Sequence, residues 1–386
     1  MGGNDVDTPM RTDGLAVPAA RSVGAVDIGL KLLSFGPVLI LILLFVIISA
    51  ITPNFLKPIN LGNILAQTAV IAIVAMGQQI VILTRGIDLS VGSNLALATV
   101  MGGLMYQQTD SAIIVILTML ASGALVGLIN GTVFVYGRLP HPFIITLATL
   151  SICKGLALEI APGHTTMRGM PDAIEALGST SLHDVFGLAS LGQISAGLYE
   201  FLISMPVLSS ILLWLNDLLK SSPASALIVL GVAMIVLVMT KTMVWGRWVY
   251  SVGGSPDAAR GMGIPVKGML VSAYVLSGLF AGIGAVVLAG RTAASSPLYG
   301  NLLELDTIAA VIIGGASFLG GRGHLGHALV GAVMIGIIRN ALNLHNVDAY
   351  FQMIAIGLII VLAVEADVLR NHLEAKSRTQ QAGGGR

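Results

Sequence analysis

Long apolar segments separated by short polar ones dominate this chain. Most of these segments are roughly 20 residues long, which is the length that an α-helix needs to cross the hydrocarbon core of a bilayer. The pattern predicts an all-α polytopic membrane protein, a bundle of about ten transmembrane helices. The predicted spans are 32–51, 63–84, 89–106, 111–136, 142–161, 224–241, 268–290, 302–320, 324–340 and 350–366.

Polar stretches at both ends flank this membrane domain, which we place at residues 31–368. Residues 1–30 are rich in Gly, Asp and Pro without apolar periodicity and predict a flexible tail, and residues 369–386 predict a second tail. The first apolar segment is longer than the core of a signal peptide and is followed by Thr-Pro-Asn, so we expect it to remain as a membrane helix. The segment 201–215 has only 15 residues and contains Pro206, so both a surface position and a re-entrant one remain open.

The composition excludes a soluble globular protein. Hydrophobic residues make up 55% of the chain and charged residues 10%, against about 25% charged in soluble domains, and the mean hydropathy is +0.90. A net charge of +1 without a basic run excludes nucleic acid as a partner. The 47 glycines are spread through the apolar segments and predict closely packed helices. The single cysteine, Cys153, excludes an internal disulfide.

The distribution of basic residues predicts the orientation of the helices. With ten spans and a cytoplasmic N-terminus, most of the 20 lysines and arginines fall on the cytoplasmic side, as the positive-inside rule requires. Both termini and the loop 242–267 then lie in the cytoplasm, and the long loop 162–223 lies outside. The residues on the cytoplasmic side are Arg11, Arg21, Lys31, Arg85, Arg138, Lys241, Arg247, Arg260, Lys267, Arg322, Arg370, Lys376, Arg378 and Arg386.

The loop 242–267 contains the signals of a short helix. Ser255 suits an N-cap, Pro256 the first helical position and Asp257 the first turn, while Gly263 suits a left-handed end. Two interpretations fit such a cytoplasmic helix: an ordinary connector between spans, or a lever on which a cytoplasmic partner acts.

The chain lacks the residues of several other function classes. No glycine precedes a lysine, so the phosphate-binding loop of ATPases is absent and any ATP must be bound by another polypeptide. An ion-coupled transporter needs ionisable residues within its membrane spans, and this chain has few of them. They are Lys154, Glu159, Glu304, Asp306 and Arg339. We expect Glu304 and Asp306 to cap a helix at its outer end or to contact a docking protein. Glu304 and Asp306 are two positions apart and point to different faces of a helix, so we expect no catalytic pair. His324 and His327 lack a third ligand nearby, so we expect no metal site.

Four motifs in order resemble one family of transporters. They are Asp257-Ala258-Ala259-x-x-x-Gly263, Gly86-Ile87-Asp88-Leu89-Ser90-Val91-Gly92-Ser93, Phe143-Ile144-x-Thr146-Leu147 with Lys154-Gly155, and Leu305-Asp306 through Ser317 with Gly320-Gly321-x-Gly323. The first is similar to the loop by which importer permeases dock into their ATPases. As a set, over about residues 35–368, they resemble the permeases of the ribose/xylose/galactose type of ABC sugar importer.

The resemblance implies a permease subunit of a bacterial inner membrane importer. Its partners would be cytoplasmic ATPase subunits, which bind ATP and Mg²⁺, an extracellular or periplasmic sugar-binding protein, and a second copy of the chain. This chain itself would bind no cofactor. The resemblance assigns ATPase coupling to Gly253, Gly254, Asp257, Ala258, Ala259, Arg260 and Gly263.

Six polar residues in or beside the spans are candidates for the translocation path. Buried sugar hydroxyls need polar partners, but such residues also cap helices or join neighbouring ones. The candidates are Gln78, Asp88, Ser90, Asn94, Asn130 and Lys154. Lys154 stands where the family usually has Arg, and a lysine cannot form the bidentate hydrogen bonds that an arginine forms.

We therefore predict import of a monosaccharide, a pentose of the ribose or xylose kind or a related sugar, driven by separate ATPase subunits. Three alternatives remain open: an ion-coupled secondary transporter, a membrane enzyme, and the same importer with a nucleoside, polyol or amino-acid cargo.

Overall fold

The computed structural model of the chain describes residues 36–187 and 205–365, so the two predicted tails lie outside the described residues. The described part is helical apart from turns, a 3₁₀ turn at Pro162–His164 and two short strands. The helices are α1 Gly36–Ile51, α2 Pro58–Leu83, α3 Val91–Tyr106, α4 Ala112–Tyr136, α5 Phe143–Ile160, α6 Asp172–Ser179, α7 Leu182–Val185, α8 Pro206–Ser221, α9 Ser225–Lys241, α10 Val244–Gly254, α11 Pro256–Gly261, α12 Val266–Thr292, α13 Leu303–Ile313, α14 Leu325–Leu344 and α15 Ala349–Glu365.

Helices α2 and α12 form the centre of the bundle. In the most apolar part of α2, 83% of the residues are buried, against 28% in α4, so α2 packs on all sides whereas α4 exposes one face. Helix α12 packs between α2 and α4, and α13, α14 and α9 pack on the remaining sides of α2. A helix that is apolar all round is expected at such a central position.

Glycines let α4 and α12 approach closely, as the composition predicts. Gly123, Gly127 and Gly131 are four residues apart and therefore lie on one face of α4. A Cβ at Gly123 would collide with the backbone of Gly278, and one at Gly127 would collide with the backbone of Tyr274. Because packing rather than water exclusion drives helix association in lipid, this close contact stabilises the bundle.

The structure confirms a polytopic helical membrane protein. Among the described residues, five helices are long and apolar enough to cross a membrane, namely α2, α4, α5, α12 and α14 without its first residue. The pair α9 and α10, bent by 72°, adds a sixth, and α1, α3 and α15 are shorter apolar helices.

The predicted span 302–320 differs most from the structure. Its helix, α13, ends at Ile313, and the chain then turns through Gly315, Gly320 and Gly321, all with positive φ. Glycine adopts this left-handed backbone at little cost, so the apolar segment divides into a helix and a turn. The residues before α13 are also irregular, and Leu302 has a φ of 59°.

The described parts of the loop 162–223 are themselves structured. Strand β1, Met167–Arg168, pairs antiparallel with β2, Ala294–Ser295, just after α12. The segment 201–215, where it is described, forms the first part of the amphipathic helix α8. The Trp214 Nε1 donates to the Leu56 carbonyl at 3.1 Å, which joins α8 to the loop before α2.

Candidate functional site

A buried polar cluster centres on Asp88, in the turn between α2 and α3. The Asp88 Oδ1 accepts from the Ser90 amide at 3.0 Å and from the Ser90 hydroxyl at 2.7 Å. Its Oδ2 accepts from the Ser277 hydroxyl on α12 at 2.9 Å. Asp88 is only 1% exposed, and within the described residues no cation forms an ion pair with it. Hydroxyl and amide donors therefore carry the stabilisation of this carboxylate.

Three further helices join the same cluster. On α4, the Asn130 Nδ2 donates to the Ser90 Oγ at 2.8 Å, and the Thr149 hydroxyl of α5 donates to the Asn130 Oδ1 at 2.8 Å. With its amide oriented to donate, Gln78 of α2 donates to the Asp88 carbonyl at 3.0 Å and accepts from the Asp88 amide at 3.3 Å. The cluster thus joins α2, α4, α5 and α12 around one turn.

Four of the six path candidates, Gln78, Asp88, Ser90 and Asn130, therefore meet in the structure. Asn94 lies apart and donates to the Gly123 carbonyl at 3.1 Å. All five are at most 1% exposed and have hydrogen-bond partners, so in this conformation they join helices and face no open path. Their role in translocation stays a prediction.

Lys154 lies at a second place, near the irregular segment before α13. Its Nζ donates to the Pro297 carbonyl at 3.0 Å, and its side chain is half-buried. Glu304 and Asp306 lie on α13. The Asp306 Oδ1 accepts from the Arg339 Nη2 of α14 at 2.7 Å. Asp306 is thus the buried partner of an arginine in the first turn of α13 and does not cap it, whereas a contact of Glu304 or Asp306 with a docking protein stays a prediction.

The short helix α11 has the ends that the sequence predicts. The Ser255 Oγ accepts from the Ala258 amide at 3.3 Å as the N-cap, with Pro256 at the first position. Gly263 follows the helix with a φ of 79°. The Asp257 and Arg260 side chains form an exposed ion pair at 2.9 Å. A surface pair of this kind contributes little stability.

One face of α11 is buried and the other is open. Ala259 is fully buried, whereas Asp257, Ala258, Arg260 and Met262 are exposed. Because a six-residue helix is too short to be stable alone, its attachment to the bundle holds it in place.

Besides the buried Ala259, a second attachment lies just before α11 and uses a residue that sequence reasoning missed as a site residue, Arg85. Its Nε donates to the Gly253 carbonyl at 2.6 Å, and its Nη2 donates to the Gly254 carbonyl. These carbonyls end α10 directly before α11, where helices leave carbonyls without partners. The only signal in the sequence was the position of Arg85, two residues beyond α2, beside the Gly86–Ser93 motif.

Backbone contacts complete this junction, which we call the Arg85 junction (Leu83, Arg85, Gly253, Gly254 and Gly321). The Gly321 amide donates to the Leu83 carbonyl at 2.9 Å. A Cβ on Gly253 would collide with that same carbonyl, so only glycine fits there. The end of α2, the end of α10 and the turn after α13 therefore meet at one point.

The Arg85 junction and the Asp88 cluster share one turn. Arg85 contacts the residues before α11, and Asp88, three residues later, contacts α4, α5 and α12 through its cluster. A displacement of α11 is thus connected to the interior of the bundle by a short run of covalent and hydrogen bonds.

His324 lies at the start of α14, close to this junction. Its Nδ1 accepts from the Gly326 amide at 3.1 Å, and its ring lies 5.4 Å from that of His327. Partial burial, together with the positive charge of Lys241, lowers the pKa of His324. The neutral ring keeps the unprotonated nitrogen that this cap requires. The described residues contain no group of three or more potential metal ligands.

Comparisons with known proteins point to one family. A family model described as "Branched-chain amino acid transport system / permease component" matches residues 60–364. The ribose import permease protein RbsC of Haemophilus influenzae is 34% identical over 336 residues, 87% of this chain and 92% of its own. The fructose import permease protein FrcC of Rhizobium meliloti is 33% identical over 86% of this chain and 84% of its own. No solved structure matches significantly.

Proposed function

This chain belongs to the ribose/xylose/galactose-type permeases of ABC importers, and we propose that it carries a pentose or a related monosaccharide across the bacterial inner membrane. It is a multi-pass permease subunit, and the hydrolysis of ATP takes place in partner subunits. The relatives named above import ribose and fructose, and a third, from Escherichia coli, is a D-allose permease 33% identical over 87% of this chain. This range of cargoes supports a monosaccharide and leaves the particular sugar to experiment.

One observation carries the finer part of the proposal. Helix α11 exposes Asp257, Ala258 and Arg260 while the Arg85 junction fixes its base to the bundle. A helix with one exposed face and a base fixed to the bundle can transmit the movement of a protein that binds the exposed face. We propose that the ATPase subunits dock on the open face of α11, the coupling helix, and that both termini lie on the same, cytoplasmic side.

ATP-driven movement of α11 would reach the interior through Arg85. Because the Arg85 guanidinium holds both Gly253 and Gly254, a shift of α11 pulls on the turn that carries Asp88. The two access states then differ in how the Asp88 cluster joins α4, α5 and α12. A ligand or partner shifts such an equilibrium only by binding the two states differently.

The proposal includes a sugar-binding protein and a second copy of this chain. The binding protein would dock on the side opposite α11, at the loop 162–223 and the region 291–303. A homodimer would place one α11 beneath each ATPase subunit, whether these are two copies or a tandem fusion.

The main rival is an ion-coupled transporter of a small polar solute. It needs an ionisable relay within the bundle, but Asp88 is surrounded by hydroxyl donors and Asp306 is paired with Arg339. This arrangement favours the ATP-driven alternative.

Uptake by reconstituted liposomes tests the proposal. The chain is assembled with the ATPase and the binding protein encoded for it, and ¹⁴C-labelled ribose, xylose, allose, fructose and galactose are offered in turn. We expect uptake of at least one sugar that requires internal ATP and is unaffected by ionophores. Uptake without ATP, abolished by an ionophore, would establish the secondary transporter instead, and ATP-dependent uptake of adenosine or leucine alone would refute the sugar cargo.

A further inference from the structure

The chain leaves helical geometry deep inside the bundle, between α12 and α13. Residues 295–300 run antiparallel to α3: Ser295 lies against Gly103, the Ser296 carbonyl accepts from Thr99, and Gly300 packs against Gly92. From Gly103 to Gly92, α3 rises about 16 Å. The chain from Ser295 to Gly300 covers the same distance in five steps because it is extended. The polar turn of residues 107–110 places the Tyr106 end of α3 at a membrane surface, so Gly300, about 21 Å from that end, lies within the roughly 30 Å hydrocarbon thickness.

Non-helical backbone at this depth needs hydrogen-bond partners, since lipid offers none. On one side the bundle provides them. The Thr99 hydroxyl donates to the Ser296 carbonyl at 3.3 Å, and the Lys154 ammonium donates to the Pro297 carbonyl at 3.0 Å. Ser295, Ser296 and Pro297 are buried as a result.

The other side of the segment is open and carries polar groups. Leu298 is 62% exposed and Leu305 is 37% exposed, and between them Asn301 is exposed and Glu304 is half-buried. The Glu304 carboxylate lies against Gly92 of α3 and interacts electrostatically with the Lys154 ammonium, so it stands at the edge between the buried and the open side, beside the exposed amide of Asn301. Polar and charged side chains at this depth avoid lipid and face protein or water.

Resting on the function proposed above, we propose that this face lines the water-filled path and that Asn301 and Glu304 hydrogen-bond the hydroxyls of the passing sugar. An amide and a carboxylate supply donors and acceptors in fixed planes, which replace the water that each hydroxyl loses. Leu298 and Leu305 offer apolar surface to the C–H groups of the ring. Irregular backbone within a membrane is tolerated where it lines such a cavity.

Cysteine accessibility tests this proposal, and the chain simplifies the experiment because Cys153 is its single cysteine. In a Cys153→Ala background, Asn301→Cys and Glu304→Cys are treated with a charged methanethiosulfonate reagent in membrane vesicles of both orientations. The vesicles are studied without nucleotide and after trapping with ATP and vanadate. Leu117→Cys, at an exposed apolar position of α4, is the lipid-facing control, and Gln108→Cys, in an exposed turn, is the water-facing control.

We expect both path positions to react at least tenfold faster than Leu117→Cys in one of the two states, and the transported sugar at saturation to slow the reaction. The sugar is chosen by the uptake assay above. Reaction no faster than at Leu117→Cys in both states, while Gln108→Cys reacts, would overturn the proposal. So would spontaneous disulfide formation between two copies at Asn301→Cys without reagent labelling, since it would place the face in a closed interface.

Failure of this inference is distinguishable from failure of the proposed function. If the unaltered chain imports a sugar with ATP but the two positions do not react, only the inference fails. If the positions react but no sugar is imported or protects them, the path exists and the assignment of a sugar to it fails. As a functional readout, Glu304→Gln keeps the size of the side chain, and we expect it to reduce the maximal uptake rate at least fivefold.

Discussion

Gly127 on α4 shows how individual residues set the packing of this bundle. A Cβ there would collide with the Tyr274 backbone of α12. Because neither backbone can retreat without disturbing the core, we expect Gly127→Val to lower the free energy of unfolding by at least about 1–3 kcal/mol. Thermal unfolding in mild detergent measures the effect. Gly155→Val is the matched control, because nothing lies within 4 Å of a Cβ at Gly155; equal losses for both variants would refute the packing explanation.

The Asp88 carboxylate accepts three buried hydrogen bonds in the interior of the bundle. Asp88→Ala removes the acceptor of the Ser90 amide, the Ser90 hydroxyl and the Ser277 hydroxyl. Since buried donors without partners are costly, we expect a loss of about 1–3 kcal/mol in unfolding free energy. Asp257→Ala, at a side chain that is 90% exposed, is the control and leaves stability unchanged. A stable Asp88→Ala variant would show that the cluster does not hold the helices.

Features that depend only on neighbouring residues, such as the ends of a short helix, were predicted correctly from the sequence. The N-cap at Ser255 and the left-handed Gly263 follow from neighbouring residues and are confirmed. The bond from Ser277 to Asp88 joins residues 189 positions apart, and the pattern of a single sequence contains no signal for that pairing. The sequence therefore identified Asp88 as a candidate, whereas its partners came from the fold.

At the element scale, the attachment of α11 makes the clearest prediction. Arg85→Ala removes both hydrogen bonds to Gly253 and Gly254 while leaving the exposed face of α11 intact. We expect ATP-driven uptake to fall at least tenfold, while the ATPase subunit still binds the permease and still hydrolyses ATP. The docking face of α11 is unchanged in this variant, but a movement of α11 no longer reaches the turn that carries Asp88. Arg138→Ala, exposed in another turn, is the control with normal uptake.

Parallel losses of uptake and of ATPase binding in Arg85→Ala would contradict this separation of docking from transmission. They would mean that Arg85 supports the shape of α11 and transmits nothing. A protein melting curve taken with each variant excludes misfolding as the reason for lost uptake.

Element boundaries were predictable only where hydropathy and helix ends coincide. The predicted spans 111–136 and 142–161 match α4 and α5 closely. The prediction for 302–320 failed because its apolar residues continue past Ile313 although the backbone turns at Gly315 and Gly320. Hydropathy measures which solvent a segment prefers, and here protein replaces lipid around a segment that is not a helix.

On the scale of the whole molecule, the orientation of the bundle rests on the predicted charge asymmetry. Ser179, at the end of α6, and Ser255, at the start of α11, are exposed and belong to opposite sides in that prediction. In a Cys153→Ala background, we expect an impermeant maleimide added to intact cells to label Ser179→Cys and not Ser255→Cys, with the reverse in inside-out vesicles. Labelling of both from one side would refute the predicted orientation.

The number of spans depends on how the shorter apolar helices are disposed. By length and composition, five helices and one bent pair qualify among the described residues, and α1, α3 and α15 extend the apolar set. The predicted span 302–320 is instead the shorter helix α13 and a turn, and the segment before α13 is irregular as well. A bundle interrupted at such a point has the means to present polar groups to a passing solute, which a bundle of ten unbroken helices lacks.

The most direct test of the ATP-driven importer is to identify the proteins that bind this chain. The chain is purified from its native membranes in mild detergent, and the proteins that remain bound are identified. We predict recovery of an ATPase with a phosphate-binding loop, and its loss when the open face of α11 is changed by Asp257→Lys together with Arg260→Glu. The double variant inverts both exposed charges while keeping Ala259 buried. A pure chain that binds no ATPase, yet moves a sugar down an ion gradient in liposomes, would contradict the importer and establish a secondary transporter.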